Sequence, residues 1–340
     1  MHITTDLTRE RWDAYVNAHP DATAYHGWRW RTVFEDAFGH DTVYLAAIDG
    51  GHVAGVLPLA IFRSHLFGRF AVSLPFVNYG GLCATTPEAS DALLQHAAAL
   101  ARERRLAHVE LRHVARQCPH LSAREHKVGM RMALAADAAQ AWDGLDRKVR
   151  NQVRKAEKSA LTARNGGVEL LDAFYQVFSR NMRDLGTPVY SIDFFRAVLE
   201  TFSDETRVFL VERGGLPVAA GITVRHRSTL EIPWASSLRE YRAECPNNLL
   251  YWQILQFAIA SGATTLDFGR STPEEGTFQF KKQWGAEPFP LYWEYVLSPG
   301  AVPADLSPRN PKFGAAIAIW KRLPVPVTTF LGPHIVRSIP

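Results

Sequence analysis

The residues best suited to chemistry crowd into one stretch, Thr264 to Pro290, TTLDFGRSTPEEGTFQFKKQWGAEPFP. Asp267 and Arg270 follow an alternating segment, Thr265-Leu266-Asp267-Phe268. They therefore sit at the carboxyl end of an expected strand, a usual place for ligand contacts in α/β folds. Gly269 turns the chain between them, and Phe280, Lys281, Lys282 and Trp284 come next. A lysine ammonium beside Phe280 and Trp284 can stabilise a developing oxyanion or grip a phosphate. Read as a strand, the Lys281-Lys282 pair points to opposite faces, so only one of the two faces a cleft. The plainer reading makes Asp267 and Arg270 a structural ion pair and Lys281 an edge-strand charge.

Other chemistries lack their motifs. Asp267-Phe268-Gly269 matches a kinase metal triplet, but no Gly-rich phosphate loop, strand-lysine signature or HRD triplet accompanies it. There is no Walker loop, GxGxxG, HExxH or GxSxG pattern. The 13 histidines are scattered without metal-ligand spacing, and no metal is expected. The 3 cysteines, Cys83, Cys118 and Cys245, lie far apart, which speaks against a disulfide framework and for a reducing compartment.

A chain of 340 residues with 47% hydrophobic and 21% charged residues has room for two globular domains. A net charge of +4 permits a phosphate-bearing partner without demanding one. DNA is not an expected partner. The opening segment, MHITTDLTRERWDAYV, lacks the apolar core of a signal peptide. No apolar run approaches the roughly 20 residues needed to span a bilayer. The expected location is cytoplasmic.

The elements that must position the stretch occur twice. Thr42–Ile48, a Gly50-Gly51 turn and His52–Leu59 read as a hairpin. A further strand is expected near Ala71–Leu74 and the Gly80-Gly81 pair. A helix opens at Thr86-Pro87-Glu88, with a threonine cap and a first-turn proline, and the strand His108–Arg112 follows. The order returns as Arg207–Glu212, Gly214-Gly215, Pro217–Val224, Thr229–Trp234, a helix from Asn247 ended by Gly262, and Thr265–Phe268. The glycine pairs are offset by 164 positions (50 to 214) and the last strands by 157 (109 to 266), so a small indel separates two copies of one α/β unit.

Between the copies, Trp142 to Arg164 reads as a basic helix. Arg147, Arg150, Arg154 and Lys158 share a face, and Lys148 and Lys155 lie beside it. The face is either simply solvated or a clamp for phosphates. The segments around Ala173–Phe202 read as two helices split at Leu185–Tyr190. The Pro-rich tail carries Lys312–Arg322, a short apolar helix flanked by cations. It is a strap on the second copy or, in the sharper reading, a peripheral contact with the inner membrane.

DFGRSTPEEGTFQFKKQWGAEPFPLYWEY resembles the C-terminal signature of the FemAB family of peptidyl and acyl transferases. The resemblance extends to RNMRDLGTPVY (Arg180–Tyr190), Asn248-Leu249-Leu250-Tyr251-Trp252, KVRNQVRKAEKSA and the tail. It points to the FemAB-like proteins found beside exosortase and PEP-CTERM exopolysaccharide loci.

The resemblance implies an α/β (α+β) fold of two tandem GNAT-like (acyl-CoA N-acyltransferase-like) domains with mixed, mainly antiparallel sheets. The first is expected over 1–145, the second over 146–300, and the strap over 301–340. It implies acyl transfer to an amine or hydroxyl of a cell-envelope or exopolysaccharide precursor. The expected acceptor is a glycan or is linked to a nucleotide sugar.

The family's Phe-Lys pair falls on Phe280-Lys281, so Lys281 is expected to steady the tetrahedral intermediate. Asp267 and Tyr251 are the candidate bases. Arg270, Phe280, Trp284, Tyr190, Arg150, Arg154 and Lys155 are expected to bind substrate, and helix-start amides near Asn248 to bind donor phosphates. The staphylococcal coiled-coil arm and the Gln/Arg-x-x-Gly-x-Gly/Ala loop of acetyl-CoA enzymes are both missing. The donor therefore stands as acyl-CoA, with aminoacyl-tRNA as the alternative. A third reading is a non-catalytic binding or scaffold protein of an exopolysaccharide system. Any chemistry is expected in the second copy and the cleft between the two.

Overall fold

The computed structural model describes residues 1–64, 67–301 and 313–339. The first strands and helices are β1 (His2–Thr4), α1 (Arg9–Ala18), α2 (Trp30–Phe38), β2 (Asp41–Asp49), β3 (His52–Ser64), β4 (Gly68–Val72), β5 (Cys83–Ala84), α3 (Pro87–Glu103), β6 (His108–His113) and β7 (Ser122–Arg124). The next group is β8 (Val128–Ala133), α4 (Ala138–Gly144), α5 (Arg147–Lys158), β9 (Leu161–Gly166), α6 (Leu171–Leu185), α7 (Ile192–Thr201), β10 (Thr206–Arg213), β11 (Leu216–His226) and β12 (Thr229–Ser237). The chain ends with α8 (Pro246–Ala260), β13 (Thr265–Ser271), α9 (Gly276–Gln283), β14 (Glu287–Pro290), β15 (Tyr292–Leu297), α10 (Gly314–Trp320) and α11 (Val325–Val336).

Local chemistry sets the boundaries. Thr86 caps α3 by accepting the Ala89 N–H at 3.2 Å, with Pro87 in the first turn. Ser191 caps α7 through the Phe194 N–H at 3.2 Å. Gly39 and Gly186 end α2 and α6 at φ 66° and 80°, where a side chain would be strained. Asp146 opens α5 by accepting the Lys148 N–H at 2.6 Å. The basic helix expected to reach Arg164 stops at Lys158, because Leu161–Gly166 joins β10 as an antiparallel edge strand.

The described residues form two compact units. The first contains a mixed sheet in the order β1-β2-β3-β4-β6-β15-β7, with β5 beside β3. The second contains the order β14-β8-β13-β12-β11-β10-β9. Both sheets are mainly antiparallel, with one parallel pair each, β4·β6 and β12·β13. The repeat read from the sequence is thus present as two α/β units of the expected class.

The unit boundaries differ from those expected at 145 and 300. Strand β8 and helix α4 precede residue 145 yet belong to the second unit, and β15 follows every other strand yet pairs with β6 in the first. Each sheet is completed by a strand from outside its own copy. Of the segment 301–340, residues 302–312 (Lys312 included) lie outside the described residues. Helices α10 and α11 belong to the second unit, where α11 packs on α6.

The second unit's core runs through Val149 and Val153 of α5, Leu250, Tyr251, Ile254 and Leu255 of α8, Leu266 and Phe268 of β13, and Phe278 and Trp284. Burying side chains of this size is worth roughly 1.5–3 kcal/mol each, so α8 is held from several sides.

Candidate active site

The site begins where β12 and β13 part. They pair in parallel over only three positions, Thr229↔Thr265, Leu230↔Leu266 and Glu231↔Asp267. Beyond Glu231 the register of β12 with β11 slips, leaving Ile232 and Pro233 together opposite Thr223. Pro233 cannot donate to a ladder, and a bulge bends its strand away. Strand β13 bulges at the same level: Phe268 and Gly269 share one place opposite β8, and Gly269 takes φ 70°. Two adjacent bulges open a fork whose base holds two buried carboxylates, Glu231 and Asp267.

Asp267 is tightly held. Its Oδ2 accepts from Arg131 Nε at 2.8 Å, and its Oδ1 from the Gly269 N–H at 2.8 Å. Asp267 makes an ion pair with its cross-strand neighbour Arg131, whose guanidinium lies 4.3 Å from the Phe289 ring centre.

Lys281 sits on a helix, not on the strand that Phe278-Gln279-Phe280-Lys281 suggests. Helix α9 buries Phe278 and Lys281, three residues apart and so on one face, and leaves Lys282 less buried. Only 8% of Lys281 is exposed. Its Nζ donates to the carbonyls of Arg270 at 2.7 Å and Gly269 at 3.3 Å, the backbone of the β13 bulge. Desolvation pulls its pKa down to about 8; Arg270 adds to the fall, while Asp267 and Glu231 oppose it. The result is a buried ammonium with one N–H beyond those two bonds, close to its own titration point.

Tyr251 on α8 faces the same cluster. Its ring stacks on Phe268 at 5.7 Å and meets Phe280 edge-on at 5.0 Å and Trp284 at 6.0 Å. Tyr251 is one of the candidate bases, and burial pushes its phenol pKa up, which holds the hydroxyl protonated at neutral pH. The Trp284 Nε1 and Ser271 Oγ are buried without a hydrogen bond among the described residues.

The remaining expected residues fall elsewhere. One turn before Tyr251, Asn248 donates from Nδ2 to Gln152 Oε1 of α5 at 3.2 Å. Its own N–H is bonded to the Cys245 carbonyl at 3.0 Å, which takes that amide out of any phosphate site. Lys155 lines an open hollow of about 490 Å³ with Asp146, Arg147, Lys148, Asn151 and Gln152. Arg154 leans over Trp142 at 5.3 Å, and Arg150 lies 4.0 Å from Asp143. Both turn toward α4, so the basic face splits in two. Tyr190 joins another aromatic cluster, 5.3 Å from Phe194, which meets Trp234 at 5.5 Å.

The fold therefore brings Lys281, Asp267, Tyr251, Arg270, Phe280 and Trp284 together, while Tyr190 packs on Phe194 and Arg150 and Arg154 turn to Asp143 and Trp142. Sequence reasoning missed Glu231. Its signal was a carboxylate inside the otherwise apolar run Leu230-Glu231-Ile232, one residue from a proline bulge.

Comparisons with known proteins bear on the fold and on the segment that holds the site. The acetyltransferase (GNAT) domain family profile matches residues 147–282, from the first residue of α5 to the residue after Lys281. No curated protein sequence matches the chain. Among solved structures, FemX superposes with a TM-score of 0.67 at 15% identity, covering 86% of this chain and 97% of that one. The C-terminal domain of a putative lysylphosphatidylglycerol synthetase from Agrobacterium fabrum superposes at 0.57, with 12% identity and coverage of 92% and 94%. A tandem GNAT protein from the clavulanic acid biosynthesis pathway superposes at 0.56, with 14% identity and coverage of 89% and 99%. Residues 147–282 carry the match to an acetyltransferase (GNAT) domain, and the chain as a whole has the fold of tandem GNAT proteins and of FemX.

Proposed function

We propose that the protein is a FemAB-like transferase that moves an acyl or aminoacyl group onto an amine or hydroxyl of a cell-envelope or exopolysaccharide precursor. The observation that carries this reading is the fork of β12 and β13, with the buried Lys281 ammonium at its rim, inside the segment that matches an acetyltransferase domain. The acceptor nitrogen attacks the donor carbonyl, and a C–N bond forms as the thioester or ester C–S or C–O bond breaks. Charge develops on the carbonyl oxygen. Lys281 is preorganised to meet it, because its other bonds are fixed by two backbone carbonyls. Asp267 accepts from Arg131 and Gly269, and of the two buried carboxylates at the base of the fork Glu231 is our candidate to receive the acceptor's proton.

Acyl-CoA is the donor implied by the domain match. A second reading, aminoacyl-tRNA, is favoured by the exposed Arg147, Lys148 and Lys155 around the α5 hollow. It also fits the name of the similar lysylphosphatidylglycerol synthetase domain, a product with an aminoacyl ester. The test offers the purified protein acyl-CoAs and charged tRNA separately, with an aminosugar acceptor, and follows transfer by mass spectrometry. Transfer from acyl-CoA supports the first reading, and transfer from charged tRNA alone moves the assignment to the second. Failure of both donors would leave a binding protein.

A further inference from the structure

Helix α11 is packed the wrong way round for a helix facing water. The residues it buries are small or weakly polar: Thr328, Gly332 and Val336, spaced by four. A Cβ on Gly332 would lie 2.9 Å from the Val189 backbone, so the inner face is pressed tightly onto the loop after α6. The outer face carries the large apolar side chains. Phe330 is 71% exposed, Leu331 39%, Val327 38% and Ile335 38%. An amphipathic helix docked for water solubility does the reverse.

The patch continues beyond α11. On α10, Ile319 is 63% exposed, while Trp320 is the residue turned inward. Leu185, 58% exposed, ends α6 beside Gly186, where an added Cβ would fall 2.6 Å from Ile317 and 2.9 Å from Lys321. Scattered exposed hydrophobics are ordinary, but a contiguous group of this kind marks an interaction surface. Its charge is mainly basic: Lys321 and Arg322 follow α10 on the surface, residues 313–339 contain no aspartate or glutamate, and Asp184 beside Leu185 is paired with Arg183.

We propose that the α10–α11 face docks on an anionic phospholipid bilayer. Ile319, Phe330 and Leu331 enter the interface, and Lys321 and Arg322 pair with headgroup phosphates. Exposed large apolar groups flanked by mainly basic charge complement such a surface in both chemistry and charge. Among the described residues no helix is long and apolar enough to cross a membrane, so the contact lies on the surface. The inference stands apart from the proposed reaction, and its test does not use transfer activity.

Full-length protein is sedimented with vesicles of phosphatidylcholine alone and of phosphatidylcholine with phosphatidylglycerol. The wild type should partition onto the anionic vesicles, and added salt should weaken binding. Ile319→Ser with Phe330→Ser should lower the partition by about tenfold or more while the circular dichroism melt stays unchanged, since both side chains are exposed. Lys321→Glu with Arg322→Glu should weaken binding to the anionic vesicles. No wild-type binding, or undiminished binding of the serine variant, would overturn the proposal. So would a wild-type dimer that the serine variant turns into a monomer in light scattering, because the face would then belong to a second copy.

Discussion

The two units split their sheets at corresponding places and heal the split differently. In the first, β4 and β6 pair in parallel at Ala71↔Val109 and Val72↔Glu110, then part. The chain itself fills the gap. Ser73 N–H bonds to the Glu110 carbonyl at 2.8 Å, Gly80 N–H to the Arg112 carbonyl at 2.9 Å, and Leu82 N–H to His113 Nε2 at 3.0 Å. Ser73 Oγ accepts from the Gly81 and Arg112 N–H groups, both at 2.9 Å. Beneath this plug, Glu294 of β15 accepts from His113 Nδ1 at 2.7 Å and from the N–H groups of Gln117 and Cys118 at 3.1 and 3.0 Å. The Leu82 N–H occupies His113 Nε2 as acceptor, which leaves Nδ1 as the donor to Glu294. Arg112 and Glu110 pair nearby at 2.7 Å.

In the second unit, where β12 and β13 part, a lysine ammonium takes up the carbonyls of the β13 bulge. Backbone closes one fork permanently. A titratable side chain, Lys281, bridges the carbonyls of the other. On the proposed reading, the first fork serves stability and the second carries the chemistry.

Substitutions can break that contrast. Glu294→Ala should have the largest effect, a stability loss of about 3–5 kcal/mol in a denaturant titration, because three buried donors lose their acceptor. Burial pushes the Glu294 carboxyl up, but the His113, Gln117 and Cys118 hydrogen bonds outweigh it and hold the pKa below its ordinary value. A depressed carboxylate stabilises the fold above its unfolded pKa, near 4.3 for glutamate. This contribution should therefore fade in the wild type as pH falls below about 4, and be missing from the alanine variant at any pH. Equal stability of the two proteins at pH 7 would contradict the structural role.

Lys281→Met comes next. It should lower transfer by about 10²–10³-fold, the usual range for losing an oxyanion donor, with the fold retained by circular dichroism. Wild-type transfer should decline as pH rises through about 8, since the active form is the ammonium. The same lowered pKa means that burial of the charge opposes folding below about 8, and that this cost lifts between about 8 and 10.5. A rate that instead rises through that range would make Lys281 a base.

Gly81→Ala should have the smallest effect, about 1–3 kcal/mol of stability. At φ 95° a side chain is strained, and its Cβ would run into the buried His113 ring. Transfer per folded molecule should not change; a selective loss of turnover in this variant would put chemistry in the first fork as well.

Much of this was legible in the residues. The Gly-Gly hairpins and the order of strands and helices follow from alternation, caps and turn glycines, which act within a few positions of chain. The same local signals marked Asp267, Lys281 and Trp284 as neighbours. Other features could not be read. Phe278-Gln279-Phe280-Lys281 alternates like a strand, and only burial of Phe278 and Lys281 on a common face makes it helical. The pairing of β15 with β6 and of β8 with β13 joins segments far apart in the chain, and no local pattern states a partner.

The sequence by itself determined the two-copy α/β plan and the stretch that holds the candidate chemistry, because periodicity and turn propensity are properties of short segments. The tertiary structure alone decided which strands cross between the units' sheets, that Glu231 and Asp267 meet at the base of a fork, and that α11 turns its large apolar side chains outward. Each of these depends on what a residue packs against, and long-range packing sets the environment that shifts a pKa or exposes a face.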